Sequence, residues 1–245
     1  MKVAICQPTY LPWMGYFDLI DEVDLFIVLD TVQFEKRSWQ QRNRIRMPGG
    51  LQWLTVPVKS RGLYEQLVRE VEICSSRFAE DHIRTIELAY RRAPYFREYF
   101  PRLAEVLHDK SAGALMELNL GLIQWLLEAF DIHTPLVTAS SLNQSGKRTE
   151  LLGNLCAASG ASQYVSPVGS AAYLLAEKDI LLDRGVEILF HHYEHPVYRQ
   201  VFSPFEPYAS VVDLLFNEGD RALEILRSGR RTPYGVEEIA FASAV

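Results

Sequence analysis

The chain opens on a short apolar run, Lys2 to Cys6, that enters a turn carrying two prolines, two aromatic rings and a glycine, QPTYLPWMG. Behind the turn, Phe17, Leu19, Ile20 and Val23 share one side of a predicted helix over 16–23, and Leu25 to Leu29 forms a second apolar run ending at Asp30. Two continuous apolar runs joined by a helix predict buried parallel strands, the beginning of an open parallel sheet. A polar, basic stretch follows, DTVQFEKRSWQQRNRIR, read as a loop. Residues 51–58 and 68–73 predict two more strands, with Pro57 marking an edge or a strand end.

From 76 to 130 the period changes. Leu115, Leu118, Leu122 and Leu126 recur at spacings of three and four, the face of a helix, and Pro94 and Pro101 divide the segment into about three helices. A short strand over 135–138, a loop and helix stopped near Gly160, a brief strand over 163–165, the helical SPVGSAAYLL and a strand over 186–190 repeat the strand–helix theme. The pattern predicts one α/β domain over 1–229 with a helical segment at about 76–130, and a tail over 230–245 that shows no clear period and is expected to be loosely held.

Composition narrows the function classes. The formal net charge of −6 argues against unspecific nucleic-acid binding, which needs a broad basic surface. No apolar stretch approaches the roughly 20 residues that span a bilayer, and the first apolar run is too short for a signal peptide. Cys6, Cys74 and Cys156 are odd in number, far apart and without a CxxC pair, which argues against a disulfide framework or a zinc ribbon. The expectation is a reduced, cytoplasmic protein with no membrane partner.

The candidate chemistry lies where strands give way to loops, since ligands of open parallel sheets sit beyond the C-terminal strand ends. In the first loop Pro8 and Pro12 stiffen the backbone, Gly15 permits close approach, and Tyr10, Trp13 and Tyr16 offer flat faces suited to a base or sugar ring. The basic stretch adds Gln33, Arg37, Trp39, Arg42, Asn43 and Arg44 beside Asp30; arginine forks match phosphate and carboxylate, and the amides read hydroxyls. Lys147 stands at an apparent helix start, a setting that favours anions, although Ser141 and Arg148 break the phosphate-loop pattern. Ser166, Gly169 and Ser170, with Tyr173 following, offer backbone N–H groups at another helix start. HHYEH, 191–195, matches an inverted zinc-protease pattern, but it follows a strand and is stopped by Pro196, so no metal site is expected. On topological grounds Gln7, Tyr10 and Trp13 should line one crevice also reached by Asp30, Asn43, Lys147 and Gly169–Ser170.

The chain resembles the WbqC-like protein family over most of its length. The strings that carry the resemblance are QPTYLPWMGYFDLI, LDTVQFEKRSWQQRNRI, WLTVPV, KRTELL, YVSPVGSAAYL, HPVYRQ and SVVDLLFNEG, and it ends near Gly229. The resemblance implies an association with bacterial O-antigen and other surface-polysaccharide biosynthesis, and transfer of an aminoacyl group such as glycyl to an amino sugar. The order strand, P-T turn, glycine, helix, strand is also similar to the opening of the nucleotidyltransferase and class I synthetase-like superfamily. That likeness implies a Rossmann-like, mostly parallel sheet with helices on both faces, although Trp13-Met14-Gly15-Tyr16 stands where those enzymes carry a histidine motif.

The leading reading is therefore a transferase moving an acyl or aminoacyl group onto an amino sugar, expected as its nucleotide-linked form, from an activated donor: an aminoacyl-tRNA, an acyl-CoA or a carrier-bound thioester. Asp30 or His191 would take the proton from the attacking amine. Nucleotidyl or phosphoryl transfer at a degenerate site, and non-catalytic nucleotide-sugar binding, are the alternatives.

Overall fold

A computed structural model describes residues 1–242. The elements run β1 (Lys2–Cys6), α1 (Met14–Asp21), β2 (Leu25–Val28), β3 (Arg42–Met47), β4 (Gly50–Thr55), α2 (Arg77–Tyr90), α3 (Phe96–Asp109), α4 (Leu115–Ala129), β5 (Leu136–Thr138) and α5 (Thr149–Ser159). They continue with β6 (Gln163–Pro167), α6 (Ala171–Ala176), α7 (Asp179–Leu182), β7 (Glu187–His191), α8 (Val212–Glu218), α9 (Ala222–Ser228), β8 (Tyr234–Gly235) and α10 (Val236–Ala242). The main sheet has the order β5-β2-β1-β6-β7-β8. Its strands are parallel except β8, which runs antiparallel to β7. This is the α/β, Rossmann-like sheet expected.

The order carries the functional consequence. The chain builds outward from β1 through β2 to β5, then returns to the other side of β1 and continues with β6 and β7. The loops after β1 and β6 consequently leave the sheet in opposite senses, opening a crevice at that switch point.

Side-chain alternation along the strands divides the core. Val3 and Ile5 join Ile27, Leu155, Leu174 and Ile188 on one face, under α5 to α7. Ala4 and Phe26 face the other way, into a larger cluster with Phe17, Ile20, Leu122, Leu126 and Phe130. Helices therefore cover both faces, and α2, α3 and α4 make the three-helix segment that the leucine period predicts.

Four expectations are corrected. The basic stretch is not all loop: Arg42 to Met47 is a strand paired antiparallel with β4, with Arg44 opposite Trp53. Residues 68–73 contain a single 3₁₀ turn, Val68–Glu70, in place of a strand. Pro94 does lie between α2 and α3, whereas Pro101 sits inside α3 on its exposed side and does not end it. The described part of the tail is tied down: Tyr234–Gly235 pairs with Leu189 and Phe190 of β7, and Arg230 bonds α1.

Tyr10 shows how the first loop is anchored to the helical segment. Its ring is fully buried, and its hydroxyl lies 2.8 Å from His82 Nδ1 on α2. His82 also has a hydrogen bond to the Thr55 backbone, and burial depresses its pKa from 6.5 to about 4. Native His82 is thus neutral where the unfolded chain would already bind a proton, so the stability it confers is complete above pH 6.5 and is lost as the pH falls towards 4. At about 1.4 kcal/mol per pKa unit the loss is on the order of 3 kcal/mol. Urea unfolding at pH 7 and pH 4.5 should show the native protein losing more stability than His82→Gln, which keeps a polar partner for Tyr10; equal losses would refute the assignment.

Candidate functional site

The loop after β1 is held from several directions. Asn43 Nδ2 donates to the Leu11 carbonyl at 2.8 Å, the Val211 N–H to the Pro12 carbonyl at 2.8 Å, and the Tyr10 N–H to the Trp39 carbonyl at 2.9 Å. Leu11 is fixed with φ of 43°, in the left-handed region that a leucine rarely adopts. Gly15 makes room for Trp13 rather than for a ligand: a Cβ at Gly15 would fall 2.3 Å from the indole.

Trp13 then stands between two hollows. One, of about 270 Å³, is lined by Thr9, Trp13, Tyr16, Trp39, Asn43, Arg44 and Tyr208. The other, of about 300 Å³, is lined by Trp13, Pro167, Val168, Gly169, His191, His192 and Tyr193. The second lies beyond the ends of β6 and β7, where Pro167 and His191 are partners in register. Tyr193 meets the Trp13 ring edge-on at 5.7 Å and Tyr208 tilts against it at 5.6 Å.

His191 closes the second hollow from below. Its Nε2 lies 2.8 Å from Asp18 Oδ2, and Asp18, on α1, is completely buried. Arg230 Nε bonds the other Asp18 oxygen at 2.9 Å, and Arg227 and Arg230 together hold Asp21 one turn on. Burial alone would raise the Asp21 pKa, but the hydrogen bonds from the two arginines hold it below the usual carboxylate value. No hydrogen bond to His191 Nδ1 occurs among the described residues, so one ring nitrogen is fixed by a carboxylate and the other is free beside a cavity. Asp18, Glu22 and His191 are also close enough together to hold a metal ion. Arg230 already engages Asp18 as a counter-cation there.

The predicted site residues divide between those the fold assembles and those it uses elsewhere. Trp13, Trp39, Asn43 and Arg44 share the first hollow, and Trp13, Gly169 and His191 the second. Arg42 stacks on Trp53 next to Arg44. Tyr10 lines nothing, being buried against α2. Both carboxylate oxygens of Asp30 accept hydrogen bonds from Ser140, at 2.9 and 2.6 Å, so it caps the turn after β5 and is not available as a base. Gln7 accepts from Gln40 Nε2 at 2.6 Å, and Gln33 donates to the Tyr64 carbonyl. Asn43 borders its hollow, but its amide is committed to Leu11 and to the Arg44 N–H. Ser166 is fully buried, Ser170 precedes α6, and Tyr173 packs on the smaller core. Arg37 and Lys147 are exposed, and Lys147 follows Gly146 at a separate polar hollow that also contains Thr31, Arg69 and Ser140. The single crevice expected for all of these residues is thus reduced to the two hollows around Trp13.

The HHYEH pair does not converge. His191 turns to Asp18, while His195 Nε2 accepts the Tyr208 N–H and Glu194 pairs with Arg231. Desolvation pushes the Cys6 and Cys156 thiols up to about 12, so neither of these two is activated. Asp18, Arg230, Tyr193 and Tyr208 were not picked out from the sequence. Asp18 did carry a signal: a carboxylate flanked by Phe17 and Leu19 on a helix whose other inward positions are apolar.

The pattern of the WbqC-like protein family matches residues 7–225. The chain is similar to the uncharacterized protein Rv1507c of Mycobacterium tuberculosis, with 37% identity over 231 residues, 94% of this chain and 99% of that one. No solved structure matches at a significant level.

Removing one partner of a buried ion pair costs about 3–5 kcal/mol. Asp18→Ala and Arg230→Ala should each destabilise the chain substantially, and the double variant should cost clearly less than their sum in urea unfolding. Additive or negligible costs would show that the pair does not hold α1 to the tail.

Proposed function

The chain belongs to the WbqC-like protein family, and from that premise we propose that it is a biosynthetic transferase moving an acyl or aminoacyl group, such as glycyl, onto the amine of an amino sugar in surface-polysaccharide assembly. The observation that carries this reading is His191, held through Nε2 by the buried Asp18 and open at Nδ1 beside a cavity at the switch point. In the proposed step the sugar amine attacks the donor's carbonyl carbon, a new N–C bond forms, and the donor's oxygen or sulfur departs with the electron pair of the broken bond. His191 Nδ1 takes the proton released from nitrogen and returns it to the leaving group. Asp18 fixes the imidazole's tautomer and balances the transient imidazolium, as carboxylates do behind catalytic histidines. Transfer is direct, consistent with the protonated state of the buried thiols.

The aromatic hollow supports the acceptor half of the reading. Trp13, Trp39 and Tyr208 supply ring faces with polar edges, which suits a sugar or a base. The cytoplasm, where nucleotide sugars and activated donors are both at hand, fits this assignment. No helix among the described residues is long and apolar enough to cross a membrane.

The test is a mass-spectrometric assay pairing nucleotide-linked amino sugars with glycyl and acetyl donors carried on tRNA, CoA or a carrier thioester. A product heavier by one acyl or aminoacyl group is expected. His191→Gln should slow its formation by roughly 10²–10⁴-fold with acceptor binding nearly unchanged. Turnover at the native rate in His191→Gln would overturn the assignment of the base, and acceptor binding without any product across the panel would favour a non-catalytic binding protein.

A further inference from the structure

The first hollow has a second wall that the transfer step does not use. On β3, Arg42 and Arg44 are two residues apart and point to the same face of the ribbon, roughly 7 Å from each other along the strand. The Arg42 guanidinium lies 4.2 Å from the centroid of the Trp53 ring. That of Arg44 lies 5.4 Å from Trp53 and 5.5 Å from Trp39. The two indoles are 5.2 Å apart and remain 46% and 41% exposed, for Trp39 and Trp53 respectively.

What this stack lacks is an anion. Among the described residues neither arginine side chain makes an ion pair or a hydrogen bond, although the chain has more acidic than basic residues. The Nε atoms of both are buried without a partner. Surface arginines ordinarily pair with a carboxylate or extend into water. Here two lie against indoles, their freedom already reduced, with the terminal nitrogens uncommitted.

We infer that the Trp39–Arg44–Trp53–Arg42 stack is a diphosphate-binding site, and that the acceptor is carried on a nucleoside diphosphate. This rests on reading the adjoining hollow as the acceptor's. Each guanidinium takes non-bridging oxygens of one phosphoryl group, the sugar reaches past Arg44 into the hollow towards Trp13, and the base lies outward over the exposed indoles. A single-stranded nucleic acid is the less suitable occupant, because the chain has a net charge of −6 and the two stacked guanidinium groups offer partners for two phosphoryl groups rather than for a longer run of phosphates.

Isothermal titration with UDP, GDP, ADP, their monophosphates, inorganic pyrophosphate and a short single-stranded RNA, on native protein and on Arg42→Lys and Arg44→Lys, tests this. The lysine variants keep charge and most of the stacking length but lose the bidentate fork. At least one nucleoside diphosphate should bind more tightly than its monophosphate, and each variant should weaken it by tenfold or more, with melting temperatures near native. Unchanged affinity in both variants would overturn the inference, as would tighter binding of a short single-stranded RNA than of every diphosphate. Diphosphate binding through the stack in a protein that shows no acyl transfer would leave the diphosphate site standing and remove the transferase reading together with the acceptor assigned to it. Transfer to an unphosphorylated amino sugar, insensitive to both variants, would do the reverse.

Discussion

A carboxylate with no exposure must be matched by charge or hydrogen bonds, and Asp18 is such a group. Its position on α1 places it beneath the first loop. The groups that match it come from the end of β7, as His191, and from beyond α9, as Arg230. One buried charge thereby draws together the start, the middle and the end of the chain. It also explains why residues past the family match are ordered: Arg230 is needed where it stands, and Tyr234 continues from it onto the sheet edge. The network that secures the fold and the one that orients the histidine are the same.

The rigidity of the first loop has a related cause. A tryptophan placed between two hollows is held at its backbone as well as by the Tyr193, His195 and Tyr208 rings that it meets. The prolines limit the chain, Asn43 holds Leu11 in an unfavourable conformation, and Gly15 removes the Cβ that would displace the indole. Tyr10 pins the loop to α2 from behind. Residues that look like a binding motif in sequence thus divide into those that border the cavities, Trp13 with Thr9 and Tyr16, and several that hold Trp13 there.

The sheet was legible because buried parallel strands read as continuous apolar runs, and the leucine period of α4 was equally plain. The strand Arg42–Met47 was not, because its alternation is hidden by arginines: the guanidinium groups of Arg42 and Arg44 lie over indoles, and Arg46 is buried. Pro101 misled because a proline on the exposed side of a helix loses one hydrogen bond without ending the helix. Of the site, Trp13, Trp39, Arg44, Gly169 and His191 were recognisable from their place after strands. Asp30 fits the same rule, yet Ser140 occupies it, and a serine 110 positions away leaves no local sign. Tyr193 and Tyr208 come from a segment with little periodicity, where only the folded chain shows which rings meet Trp13.

The central claim is that ligand is held at the switch point between β1 and β6, around Trp13. Amide hydrogen exchange with and without a nucleoside-diphosphate amino sugar addresses it without requiring turnover. Slowed exchange should fall in three separated peptides, 7–16, 166–171 and 191–195, together with the ribbon at 39–55. Protection confined to the helical segment at 76–130, or to the polar hollow around Arg69 and Ser145, would contradict the account.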